Sequence, residues 1–179
     1  MALYTGGKKY RTGEIIAVTH SSRTSGDYSN VQGSSSPHKS VGWGLQVPLV
    51  ESPNNSIVII KFNYYTMSQW TYTSIPRTAC FGIVSMFRHT SVPSAGNSTE
   101  LGTFLSRRQH GRRKCYGGST TGTDAPAYNA VDFTVIDTDP VDDYYYYLTL
   151  ANGNSPFTST IYANNTYKFE MTAHEIYTG

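Results

Sequence analysis

From residue 41 onward the chain reads as short apolar or alternating runs separated by turn chemistry, at the spacing of a β-sandwich. Residues 41–50 form the first run, and Pro48, which has no N–H to give to a ladder, places that end at a sheet edge. Ser52, Pro53, Asn54 and Asn55 predict a turn. Residues 57–65 begin as a continuous apolar run and become alternating, the pattern of a central strand whose far end leaves the core. Residues 78–88 form the next strong run, with Cys80, Ile83 and Phe87 as core candidates, and 100–106 a shorter one. In 128–136, Val131, Phe133 and Val135 share one face while Asp132 and Thr134 share the other. Residues 144–150 alternate so that Tyr145, Tyr147 and Thr149 oppose Tyr146, Leu148 and Leu150, which puts rings on both faces. Runs at 159–163 and 166–177 flank Asn164 and Asn165, a tight hairpin turn by the tolerance of Asn for positive φ.

Residues 1–40 differ in character: only 14–19 look strand-like, and the segments 21–26 and 32–37 lack the apolar content to pack alone. The expected division is therefore an N-terminal arm over 1–40 and a folded domain over 41–179. The arm is either a flexible leader or a segment that orders against a neighbour, with Tyr4, Tyr10, Ile15 and Ile16 as anchors. No amphipathic helix, internal repeat or heptad pattern stands out. About eight strands make a two-sheet sandwich the natural architecture, and periodicity alone does not separate an immunoglobulin-like sandwich from a jelly roll. The spaced Cys, Trp, Cys framework of the former is missing.

Composition agrees with β structure: 13% aromatic residues, 15 tyrosines and 16 glycines, with only 15% charged residues. The net charge of +2 argues against nucleic acid as the main partner, because phosphate binding calls for a concentrated basic field. No run is long enough to span a bilayer as a helix, so no membrane insertion is expected, and the start of the chain lacks the apolar core of a signal peptide. Synthesis in a cytoplasm followed by assembly is the expectation. Cys80 sits in an apolar run and Cys115 in a polar one; unpaired residues are the simpler reading and a bridge the alternative. Neither a zinc set nor a cofactor motif is present in the sequence.

Candidate chemistry is sparse. No strained Gly-x-Ser-x-Gly elbow accompanies the histidines, so the chain does not read as a hydrolase or other enzyme. Asp137, Asp139, Asp142 and Asp143 could offer oxygens to a hard cation but lack the spacing of a calcium loop, and a solvated turn is the simpler reading. Arg107, Arg108, Arg112, Arg113 and Lys114 are the sharpest charge feature, either a solvated loop or a contact for an acidic partner surface or an anionic host polymer. Tyr144, Tyr145, Tyr146 and Tyr147 cannot all face a core, and their outward members are expected to line a subunit interface; stacking on carbohydrate is a further possibility.

The order of features in residues 127–177 resembles the C1q and tumour-necrosis-factor type of jelly-roll module found on phage and large-virus fibres and decoration proteins. Val131-Asp132-Phe133 is followed by Asp137-Thr138-Asp139-Pro140, like the Asp-x-Pro turn of those modules. The tyrosine-rich strand 144–150 comes next, then Asn152-Gly153-Asn154, Thr160-Ile161-Tyr162 and a closing Thr172-Ala173-His174-Glu175-Ile176. The resemblance implies a homotrimer mounted on a virion, and no catalytic motif travels with it. Capsid decoration, cementing or a head-surface projection is the leading expectation, with the receptor-binding tip of a tail fibre and a carbohydrate-binding module as alternatives. The expected partners are other copies of the chain, a major capsid or other virion protein, and a host-surface glycan. Tyr4, Lys8, Lys9, Tyr10, Arg11, Ile15 and Ile16 are then the arm's capsid contacts.

Overall fold

The alternating stretch after Ser56 continues further than its apolar residues suggest, and forms a strand of 17 residues, β4 (Ser56–Tyr72). The computed structural model describes residues 10–32, 38–72, 79–114, 122–123, 127–152 and 157–179. Besides β4 these form β1 (Ile15–Arg23), β2 (Tyr28–Gln32), β3 (Lys39–Val47), β5 (Ala79–His89) and β6 (Thr103–Lys114). They are followed by β7 (Gly122–Thr123), β8 (Ala127–Asp137), β9 (Tyr144–Asn152), β10 (Phe157–Tyr162) and β11 (Phe169–Tyr177). A single 3-10 turn at Pro53–Asn55 occupies the predicted turn, and no α-helix occurs among the described residues. The chain is therefore all-β, with two antiparallel sheets facing one another.

β4 organises the larger sheet. One of its edges carries β8, from Val58↔Asp137 to Ser68↔Ala127, with β7 beyond. The other edge carries β11 at residues 56–63 and β10 at residues 65–70. β10 and β11 thus run in the same direction in one lane, interrupted at 163–168. The hairpin expected at Asn164 and Asn165 does not form, because both flanking strands take their ladder bonds from the same edge of β4. Asn164 instead caps the excursion: its Oδ1 accepts the N–H of Thr166 at 3.0 Å and of Tyr167 at 2.9 Å. β1 and β2 fill the next lane, pairing with β11 and β10 and interrupted at 24–27. Asp27 ties the two interruptions together, accepting the Ala163 N–H at 2.8 Å and Asn164 Nδ2 at 3.1 Å.

The smaller sheet has the order β3, β9, β5, β6. With each interrupted lane counted once, the larger sheet reads β1/β2, β11/β10, β4, β7/β8, and between lanes all the connections but β5 to β6 pass between the sheets. The region expected to be an arm behaves differently from that expectation where it is described: from residue 15 it supplies an edge lane of the larger sheet. Its apolar residues are few because an edge lane buries little. Ala17, Thr19, Ser21 and Arg23 pair with the inward positions of β11, and Arg23 places its guanidinium 4.9 Å from the Trp43 ring centroid.

Between the sheets Val58, Ile60 and Phe62 of β4 and Phe169 and Met171 of β11 meet Trp43 and Leu45 of β3 and Leu148 and Leu150 of β9. Phe169 is central, with ring centroids 4.8 Å from Trp43 and 5.7 Å from Phe62. Each such side chain contributes roughly 1.5–3 kcal/mol by leaving water.

The outer face of the smaller sheet is covered in part by the chain itself. The connection 90–102 folds back over it: the Ser40 N–H donates to Asn97 O at 2.8 Å, the Gly96 N–H to Ser40 O at 2.9 Å, and Ser40 Oγ to Pro93 O at 2.8 Å. Gly44 permits this approach, since a Cβ there would lie 2.5 Å from Val92 Cγ2 and 2.9 Å from Tyr146 O. The outer face of the larger sheet carries a cross-strand row of Val18, His174, Ile59 and Ile136, away from the 163–168 excursion.

Gly44→Ala is expected to lower stability by about 1–3 kcal/mol through this overlap. A urea midpoint indistinguishable from that of the parent would show that the 90–102 connection does not press on β3.

Candidate functional site

The break in the β10/β11 lane creates the most developed surface feature among the described residues. At Asn63, Tyr64 and Tyr65 the neighbour of β4 changes from β11 to β10, and the excursion bearing Thr166, Tyr167 and Lys168 lies beside that point. Tyr65 and Tyr162 are cross-strand partners. Tyr167 joins them, with centroids 4.7 Å from Tyr65 and 5.5 Å from Tyr162. Tyr128, from β8 on the far side of β4, stacks on Tyr162 at 6.3 Å and 24°. The small Ala130 opposite Tyr65 leaves room for that reach. Tyr65 is 40% exposed and Tyr128 56%, so the group presents ring surface outward. Burial, with the neighbouring Tyr128 hydroxyl and the Asp27 charge, raises the Tyr162 hydroxyl above its ordinary range.

Beside the rings is a cleft of about 650 Å³, within the usual range for a ligand pocket. Asn63, Arg108, Asp132, Lys168 and Glu170 supply its polar lining. Arg108 Nη1 donates to Asp132 O at 2.5 Å, holding the wall. Lys61 and Asp132 pair at 3.6 Å, but both are well exposed and the pair adds little stability. Asn63 Oδ1 is buried without a partner among the described residues, leaving an acceptor for a donor that enters the cleft. Rings beside mixed carboxylate, amide and cationic groups suit binding through stacking and hydrogen bonds.

The acidic cluster predicted at 137–143 has structural duties. Asp137 is buried and accepts Arg88 Nη1 at 2.7 Å and Tyr146 Oη at 2.8 Å, joining the two sheets. Arg88 also donates to Asp139 O. Burial, reinforced by the Asp137 carboxylate, pushes the Tyr146 hydroxyl far above its ordinary range. Asp142 Oδ1 accepts the Leu49 N–H at 2.8 Å, and Asp143 takes a left-handed turn conformation with φ of 58°. No group of three His, Cys, Asp or Glu suited to a metal occurs among the described residues.

The remaining candidate residues fall as follows. Tyr4, Lys8 and Lys9 lie outside the described residues. Tyr10 packs its ring 5.9 Å from Tyr177, the Arg11 N–H donates to Glu14 Oε2 at 2.8 Å, and Ile15 and Ile16 begin β1. The basic run is strand, where a loop was one expectation: Arg107, Arg108, Arg112, Arg113 and Lys114 all belong to β6. Arg107 and Arg108 are exposed, while the side chains of the other three lie outside the described residues. Of the tyrosine run, Tyr146 is in the core and Tyr147, though on the outward face, is buried beneath the 90–102 connection with its hydroxyl donating to Leu101 O. Burial pushes the Tyr147 hydroxyl up to about 12. Tyr144 and Tyr145 keep partial exposure, and Tyr145 Oη donates to Gln46 Oε1 at 3.0 Å. Cys80 is placed in β5 and Cys115 lies outside the described residues. The four clustered tyrosines were not singled out by sequence; each lies in a different segment, and only the register of β4 with its neighbours brings them together.

No protein-family model matches the chain, and no curated protein matches it.

Two measurements check the internal polar groups. Asp137→Ala leaves Arg88 buried without its carboxylate and should cost about 3–5 kcal/mol in a denaturant titration. His38, half-buried against Phe87 and within 3.2 Å of Thr149 Oγ1, has its pKa lowered from 6.5 by burial and by Arg107. The unfolded chain therefore takes up this proton first, and stability falls as pH drops below about 6.5. His38→Gln should flatten that decline in thermal midpoint between about pH 7.5 and about pH 5.5. An unchanged slope in the variant would remove His38 from the account.

Proposed function

We propose that this chain is a self-associating structural component of a virus particle, acting as a capsid decoration, cement or head-surface projection protein. Its fold is read as a jelly roll: a larger sheet of β1/β2, β11/β10, β4 and β7/β8 against a smaller one of β3, β9, β5 and β6, with connections that pass between the sheets. Viral capsid domains use this architecture, although architecture by itself is an analogy and does not assign a role.

The observation that carries the self-association is the outer-face row Val18, His174, Ile59 and Ile136 on the larger sheet. Val18 is 59% exposed and Ile136 57%, with Ile15 a further 52% exposed at the same end of the sheet. Single exposed aliphatic residues are ordinary, but aliphatic side chains on three of four adjacent strands, with His174 between Val18 and Ile59, support an association surface. Other copies of the chain, arranged as a trimer, are the occupants proposed. β1 supplies both Ile15 and Val18, so the segment expected to contact the particle begins beside this surface.

Sedimentation equilibrium on the full chain should give a trimer, and Val18→Asp combined with Ile136→Lys should shift it to monomer. The larger sheet should stay folded by circular dichroism, since both side chains already face solvent. Gold-labelled antibody against the chain should decorate the heads of purified particles. A parent protein that sediments as a monomer at high concentration, or particles that carry no label, would defeat the proposal.

A further inference from the structure

We infer that the tyrosine-lined cleft on the outer face of the larger sheet is a carbohydrate-binding site for a neutral oligosaccharide. The site is defined by Tyr65, Tyr128, Tyr162 and Tyr167 with Asn63, Asp132 and Glu170 at its polar side.

The chemistry of the surface selects the ligand class. A pyranose has a face of C–H groups that stacks on an aromatic ring, and a rim of hydroxyls that both donate and accept. Tyr65 and Tyr128 offer exposed ring area, and Tyr162 and Tyr167 pack against them at 4.7–6.3 Å, so the platform is held in place before anything binds. The adjoining cleft supplies acceptors in Asp132 and Glu170 and donors in Lys168 and Arg108. Asn63 Oδ1, buried without a partner among the described residues, gains from a hydroxyl donor that reaches it. Charges of both signs are interleaved here: Lys61 sits on Asp132 at 3.6 Å, and Glu170 and Lys168 both line the cleft. A balanced lining of this kind disfavours a polyanion, whose phosphates or sulphates need a concentrated basic field.

The site is also separate from the apolar row. Ile59 and Tyr65 both face outward on β4 but are six positions apart, which is roughly 20 Å along a strand. The rings thus lie away from the centre of that row, and the carbohydrate site does not depend on the virion reading.

The test is an array of neutral, sialylated and sulphated oligosaccharides probed with the full chain, followed by titration calorimetry with the strongest neutral binder. Binding of a neutral oligosaccharide, weakened at least tenfold by Tyr65→Ala and by Tyr128→Ala and kept by Tyr65→Phe and Tyr128→Phe, is the expected result. Asp132→Asn and Glu170→Gln, which alter no core packing, should each weaken binding several-fold and serve if an alanine variant fails to fold. Absence of any neutral binder overturns the inference. So does neutral binding that survives both alanine substitutions. Binding confined to sulphated or sialylated chains overturns it in favour of the cationic edge at Arg107 and Arg108. Conversion of the parent oligomer to monomer by Tyr65→Ala overturns it in favour of a contact between copies.

Discussion

Every strand of the larger sheet lies beside β4 or one strand away from it, so the register of that strand fixes the rest. Its inward positions, Val58, Ile60, Phe62 and Tyr64, lie in the core and Thr66 is buried beyond them; the hydroxyls of Tyr64 and Thr66 have no partner among the described residues. The buried interior thus continues past the break in the β10/β11 lane, where Ile161 pairs with Thr66, but it becomes more polar there. On the opposite face of the same stretch, aromatic rings take over the covering of the sheet. There Tyr65 packs on Tyr167, and Tyr162 on Tyr167 and Tyr128.

β4 is secured by different means at its Ser56 end and at the lane break. At the Val58 end, Asp137 holds Arg88 and Tyr146 from the opposing sheet, a buried charge made tolerable by several donors. Glu175, also buried, accepts the N–H groups of Val50 and Glu51 and the hydroxyl of Ser56, and so fixes the connection that leads into β4. At the lane break beside the middle of the strand, surface carboxylate and amide groups do the joining, with Asp27 bridging two neighbouring lanes at their interruptions. The first is a tie inside the molecule. The second leaves polar side chains at the surface, which is where a ligand can meet them.

Much of the β architecture was legible in sequence because a strand of a sandwich announces itself through period two. Val131, Phe133, Leu148 and Leu150 fell inward as their alternation requires. The same rule misled where burial came from outside the sheet. Tyr147 belongs to the outward set of β9, yet a connection fifty residues earlier in the chain lies over it, and no local pattern records that cover. The basic stretch of β6 carries too much charge to look like a strand, though an edge strand tolerates charge and gains from it by resisting edge-to-edge pairing. Lane sharing by β10 and β11 was hidden as well, since two collinear strands and a hairpin have the same local signature until a third strand pairs with both. The tyrosine cluster needs four distant segments at once and had no sequence signal beyond a surplus of rings.

The 90–102 connection makes the sandwich unequal on its two sides. One sheet is covered in part by its own chain, through contacts so close that Gly42 and Gly44 have no room for a side chain. The other carries the aliphatic row. A block with unequal sides has a front and a back, so a ring of copies that all present the same side to one pole would carry a direction.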